Sequence, residues 1–170
     1  MLESSFLNIN TSTFKRKNMP IEQIKYIVDY GIIGLLALLS FLTVILTIER
    51  IFFYRSIKIE EYTHGKELEI SLTKNLPSIA SIGANAPYIG LLGTVLAIML
   101  TFYIIGDQQD TIDPGEIMKH LALALKATAA GLVVAIPATA FYNALLTKVD
   151  IFISQWQILQ DTKGSTNNEA

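Results

Sequence analysis

Three stretches of this chain carry no charge and are each long enough to cross a bilayer: residues 30–48, 87–105 and 127–147, of 19, 19 and 21 residues. A hydrocarbon core about 30 Å thick is crossed by about 20 predominantly apolar residues at helical rise, and the backbone inside it has to satisfy its own hydrogen bonds. Three such runs in 170 residues predict an all-α membrane protein. It has three transmembrane helices, helical cytoplasmic extensions and an interfacial helix near the N-terminus. The apolar fraction of 51% would fit a soluble domain as well, so the clustering decides.

The remaining composition narrows the function classes. A net charge of −2 with no basic stripe gives nucleic acid no footing. Without cysteine there is no disulfide framework, thiol nucleophile or iron–sulfur site. His64 and His120 lie far apart and in no ligand cluster, so no metal site is expected. No Ser/His/Asp set and no paired intramembrane acids are present, so neither catalytic residues nor a cofactor are expected.

Along the chain, residues 1–18 read as a disordered leader, since they lack the continuous apolar centre of a signal peptide. Residues 19–29 read as an amphipathic interfacial helix, with Pro20 in its first turn and Ile21, Ile24 and Val28 near one face. The first span, 30–50, stops at Glu49–Arg50 before Phe52, Phe53 and Tyr54; snorkelling charges and headgroup-seeking rings mark a membrane exit. Residues 51–86 form a cytoplasmic helical loop, expected to bend near Pro77 and Pro87 as it feeds the second span, 87–106. A short periplasmic loop, 107–119, leads to the third span, 120–147. Val149, Phe152, Ile153 and Trp156 recur at helical spacing and predict a cytoplasmic helix over 148–162, followed by a disordered tail, 163–170. Lys and Arg number seven on the side of the large loop and tail against five on the other, or two if the leader is absent. That places the N-terminus outside and the C-terminus in the cytoplasm.

The second and third spans are poor anchors. Gly90, Thr94, Ala97 and Thr101 follow one another at intervals of four, three and four, and Ala127, Gly131, Ala135 and Ala138 do the same; Gly93 adds a further small residue. Small residues at such spacing let helix backbones approach closely. The stripes can pack one chain's own hairpin, and their length also offers surface to an oligomer or a foreign helix. Thr94 and Thr128 each place a hydroxyl in an apolar run. Each can bond back to its own helix, or the two can offer polar groups to a water-containing passage. Lys126 is the only ionisable residue well inside the spans. It either snorkels outward beside Lys119 and His120 or serves a function in the membrane.

The stretch APYIGLLGTVLAIMLTF followed by ALKATAAGLVVAIPATAFYN resembles the two core motifs of the MotA/TolQ/ExbB proton-channel family, and TIER at the end of the first span adds to the likeness. The resemblance covers about residues 30–142. The compact loop is most similar to the ExbB branch and unlike flagellar MotA. The resemblance implies a stator subunit of a proton-driven motor in a bacterial inner membrane, a homopentamer whose second and third helices line a pore. It implies an ExbD-like single-span partner in that pore, carrying a membrane aspartate, and a TonB-like protein energised for outer-membrane transport such as iron–siderophore uptake. Thr94 and Thr128 match the family's pore threonines. Gly90, Gly93, Ala97, Thr101, Lys126, Ala127, Gly131, Ala135 and Ala138 are expected to pack against partner or neighbour. One departure stands out: the glutamate many relatives carry five residues before the third-span threonine is Leu123 here. A titrating acid would have to come from the partner, with Lys126 as its possible counter-charge. A TolQ-like motor of envelope integrity and a non-conducting oligomeric scaffold are the alternatives.

Overall fold

The structure, a computed structural model, describes residues 21–107 and 113–168. The expected leader with the first two residues of the expected interfacial helix, residues 108–112 of the expected periplasmic loop, and the last two residues lie outside the described residues. Among those described the secondary structure is helical throughout, without strands, and three helices are long and apolar enough to cross a membrane.

Helix α1 spans Ile21–Ser56. The amphipathic start runs into the first span without a break, because no proline or turn residue interrupts it. Its outer face exposes Leu35, Leu38, Phe41, Leu42, Ile45 and Ile48, as a lipid-facing helix does. Its inner face buries Leu36, Thr43, Thr47 and Arg50, which recur at helical spacing. The chain then turns through a 3-10 segment, Ile59–Glu61, into α2, Gly65–Thr73.

The approach to the second span is broken ahead of both prolines. The break falls at Lys74–Asn75, where Asn75 adopts φ 68°, the left-handed region that asparagine tolerates better than most residues. Helix α3, Leu76–Asp107, starts immediately afterwards. Pro77 sits in its first turn, where a missing N–H leaves no helical bond unmade, and the helix continues through Pro87.

Asp113 caps the return helix by accepting a bond from the Gly115 N–H at 2.9 Å. Helix α4 is Pro114–Asn168, 55 residues, about 82 Å long at helical rise. It stays helical to residue 168, where the sequence predicts a disordered tail over 163–170. Adding residues to a formed helix needs no new nucleus, so a weakly helical end propagates where it would not initiate.

The fold is an antiparallel hairpin of α3 and α4, with α1 packed along both. Two apolar clusters hold it. Leu36, Ala86, Val134 and Ala135 join the three helices within the membrane spans. Leu68, Leu72, Leu76, Ile79, Leu145 and Val149 join α2, the start of α3 and the extension of α4 beyond them.

Candidate functional site

The closest approach of the hairpin is between Gly90 and Gly131. A Cβ at Gly90 would meet the Ala127 carbonyl oxygen at 2.6 Å, and one at Gly131 the Ala86 carbonyl oxygen at 2.7 Å. Both obstacles are backbone, so neither position tolerates a side chain without moving a helix. Gly93 is tight against side chains instead, those of Ala127 and Ile32.

One turn above this contact, Thr94 and Thr128 face each other with their hydroxyl oxygens 2.5 Å apart. Thr94 is buried, and its hydroxyl also lies 3.3 Å from the carbonyl oxygens of Gly90 and Ala124. Thr128 is half-buried. The close glycine contact brings the two helices near enough for the hydroxyls to bond directly across the interface. Two threonines 34 positions apart are thus brought together, each supplied by a different span.

The rest of the small-residue stripe also turns inward. Ala97, Thr101, Ala135 and Ala138 are buried, and Ala127 is half-buried against Gly93. Thr101 returns its hydroxyl to the Ala97 carbonyl at 2.8 Å. In the single chain these residues pack its own hairpin. Lys126 is placed apart from them, exposed on the outer side of α4.

A second polar group escapes the sequence reading. Arg50 is 2% exposed and does not snorkel outward. Its guanidinium donates to the Ser71 carbonyl at 3.1 Å and to Glu49 at 2.5 Å, and lies 4.6 Å from the centre of the Phe53 ring. Asn75 donates to the other Glu49 oxygen, so the left-handed turn before α3 is tied to the end of α1. Tyr54 donates to the Leu72 carbonyl at 2.8 Å. The only sequence signal for this clamp is a charge pair at the end of an apolar run, which a membrane exit explains equally well.

Comparison with known proteins puts this geometry in a family. The model of the MotA/TolQ/ExbB proton channel family matches residues 47–158, which contain the threonine pair and the glycine contact. The chain is 49% identical over 146 residues to the biopolymer transport protein ExbB of Aquifex aeolicus, covering 86% of this chain and 98% of that protein. It is 48% identical over 145 residues to an ExbB-like biopolymer transport protein of Helicobacter pylori, covering 85% and 96%. The Tol-Pal system protein TolQ of Pseudomonas aeruginosa is 37% identical over 97 residues, covering 55% of this chain and 40% of TolQ. With two thirds of its length matched by the family model and its ExbB relatives aligned nearly end to end, this chain belongs to the MotA/TolQ/ExbB proton channel family.

Proposed function

We propose that this chain is the channel-forming stator subunit of an ExbB-type motor in the inner membrane, with its N-terminus in the periplasm and its C-terminus in the cytoplasm. It assembles as a homopentamer around an ExbD-like single-span partner. The complex uses the proton motive force to energise a TonB-like protein that drives outer-membrane transport. The observation that carries this reading is the Thr94–Thr128 pair, two hydroxyls bonded to each other across the closest contact of the two small-residue spans.

A hydroxyl has one proton to donate and two lone pairs to accept with. If Thr94 turns its proton toward the carbonyls of Gly90 and Ala124, Thr128 becomes the donor to Thr94. The lone pairs of the half-buried Thr128 oxygen then stay open to water or to a group on the partner. In this role Thr94 orients Thr128, and Thr128 presents the polar edge to the proton path. Residues 30–48, 87–105 and 127–147 contain no Asp or Glu, so the titrating carboxylate belongs to the partner.

Replacing either threonine by valine keeps the shape and removes the hydroxyl. Thr94→Val and Thr128→Val are expected to abolish growth on scarce iron while the oligomer still assembles. Retained uptake in both variants overturns the proton-path role. It would support the scaffold reading, which the burial of Thr94 and its bonds within the hairpin favour.

A further inference from the structure

Arg55 and Lys148 are exposed, and among the described residues no ion pair or hydrogen bond holds either side chain. The neighbouring cations differ. Arg50 is paired with Glu49, Lys58 with Glu61 and Lys66 with Glu69, and Lys74 stands beside the Glu49 carboxylate.

Helix register brings the two free cations to one place. Ile32 and Ala127 both crowd the Cβ position of Gly93, and the rings of Tyr54 and Phe152 meet with centroids 5.7 Å apart. Helices α1 and α4 therefore run parallel, and their charge-free runs 30–48 and 127–147 lie side by side. Lys148 is level with Ile51, just past those runs, and Arg55 with Phe152, one turn or about 5.4 Å further out. Long side chains lean toward the N-terminus of a helix, which here is toward the membrane. Both heads thus reach a headgroup layer about 5–8 Å thick.

The two cations also flank one groove. Lys148 is four residues before Phe152 and shares its face, while Arg55 follows Tyr54 and shares a face with Ile51. The acids at this level point elsewhere. Glu49 is held by Arg50 and Asn75 at the turn before α3, and Asp150 lies around α4 from Lys148. Toward the membrane interior, Val44, Ile48 and Ile51 of α1 and Phe141 and Ala144 of α4 continue the two walls, and all are exposed. A free cation on each wall of an apolar groove matches a molecule with an anionic head and an apolar tail.

We propose that the groove between α1 and α4 binds an anionic phospholipid of the leaflet on the side of α2. Lys148 and Arg55 hold its phosphate, and one acyl chain lies along Val44, Ile48 and Phe141. Arginine offers a phosphate two parallel N–H donors, and lysine adds a point charge. A zwitterionic lipid carries its own cation beside the phosphate, so the two protein cations favour a head without one.

Native mass spectrometry of the full chain, purified in detergent and titrated with dioleoyl phosphatidylglycerol or dioleoyl phosphatidylcholine, tests this. Phosphatidylglycerol is expected to bind about 25-fold more tightly, about fivefold for each cation near the headgroups. Lys148→Gln or Arg55→Gln should each cut that preference to about fivefold, and the double variant should abolish it. Lys148→Arg and Arg55→Lys keep the charge and should retain the preference. Lys66→Gln removes a cation that is already paired and should change nothing. A diazirine on the acyl chain of phosphatidylglycerol should label peptides within residues 41–51 and 137–148. Equal affinity for the two lipids overturns the proposal. So does an equal loss in Lys66→Gln, the sign of diffuse attraction, or labelling confined to other segments. Displacement of the lipid by millimolar inorganic phosphate also overturns it, because the site would then be one for a free anion.

Discussion

Two residues three positions apart on α1 respond oppositely to substitution. The hydroxyl of Thr47 and the Nε of Arg50 are both buried without a hydrogen-bond partner. Thr43, one turn earlier, returns its hydroxyl to the Leu39 carbonyl at 2.9 Å, so burial alone does not strand a threonine here. Valine at position 47 keeps the branched shape and deletes the stranded oxygen. Thr47→Val is expected to raise stability by about 1 kcal/mol, read as a higher unfolding midpoint in detergent. A lower midpoint would mean that the hydroxyl has a partner in the assembled protein. Arg50 holds its position through two nitrogens at once, one on Ser71 and one on Glu49. A lysine has no such fork, so Arg50→Lys is expected to cost about 1.5–3 kcal/mol, the loss of one charge-assisted bond. An unchanged midpoint would mean that the clamp contributes nothing.

At the scale of elements, the hairpin depends on two glycines whose obstacles are backbone atoms. Gly90→Ala and Gly131→Ala force α3 and α4 apart, at about 1–3 kcal/mol each for overpacking. They also lengthen the Thr94–Thr128 bond, so activity should fall with stability. Gly34, on the first span, has open space around it. Gly34→Ala should be neutral or stabilise by up to about 1 kcal/mol through helix propensity. Thermal melts of the three variants in one detergent check the contrast, and equal shifts would contradict it. The repeat of small residues in the sequence is enough to predict a close helix contact. It is not enough to say with whom. Spacing states which residues share a face, and carries no information about which helix meets that face. The structure turns the stripe into the chain's own hairpin and leaves Lys126 on the opposite side.

At the scale of the molecule, the helices continue well beyond the membrane spans and are joined there by a second core. Trp156 on the extension of α4 donates its indole N–H to the Tyr62 carbonyl at 2.9 Å. Its ring covers Gly65, where a Cβ would meet it at 2.7 Å. The turn between α1 and α2 is thus fastened to a residue 94 positions away. Trp156→Ala should release that turn while the spans stay folded. Trypsin cleavage at Lys58 and Lys66 is expected to accelerate by about tenfold or more, the equivalent of about 1.4 kcal/mol of local opening. Unchanged cleavage would show that the apolar cluster alone holds the turn.

The sequence by itself determined the helical class, the three spans and the family, because hydropathy summed over about 20 residues and a local motif are properties of single elements. It also singled out Thr94, Thr128 and Lys126 as the residues an anchor would not carry. It did not place the helix break at Asn75, where prolines at 77 and 87 are the louder signals and a single left-handed residue makes the turn. It did not reveal the burial of Arg50, since a charge at the end of an apolar run fits a snorkelling residue and a clamped one equally. The glycine contact and the meeting of the two threonines belong to the tertiary structure. Each is a distance between positions far apart in the chain, set by the register of one helix against another, and no property of either helix alone fixes that register.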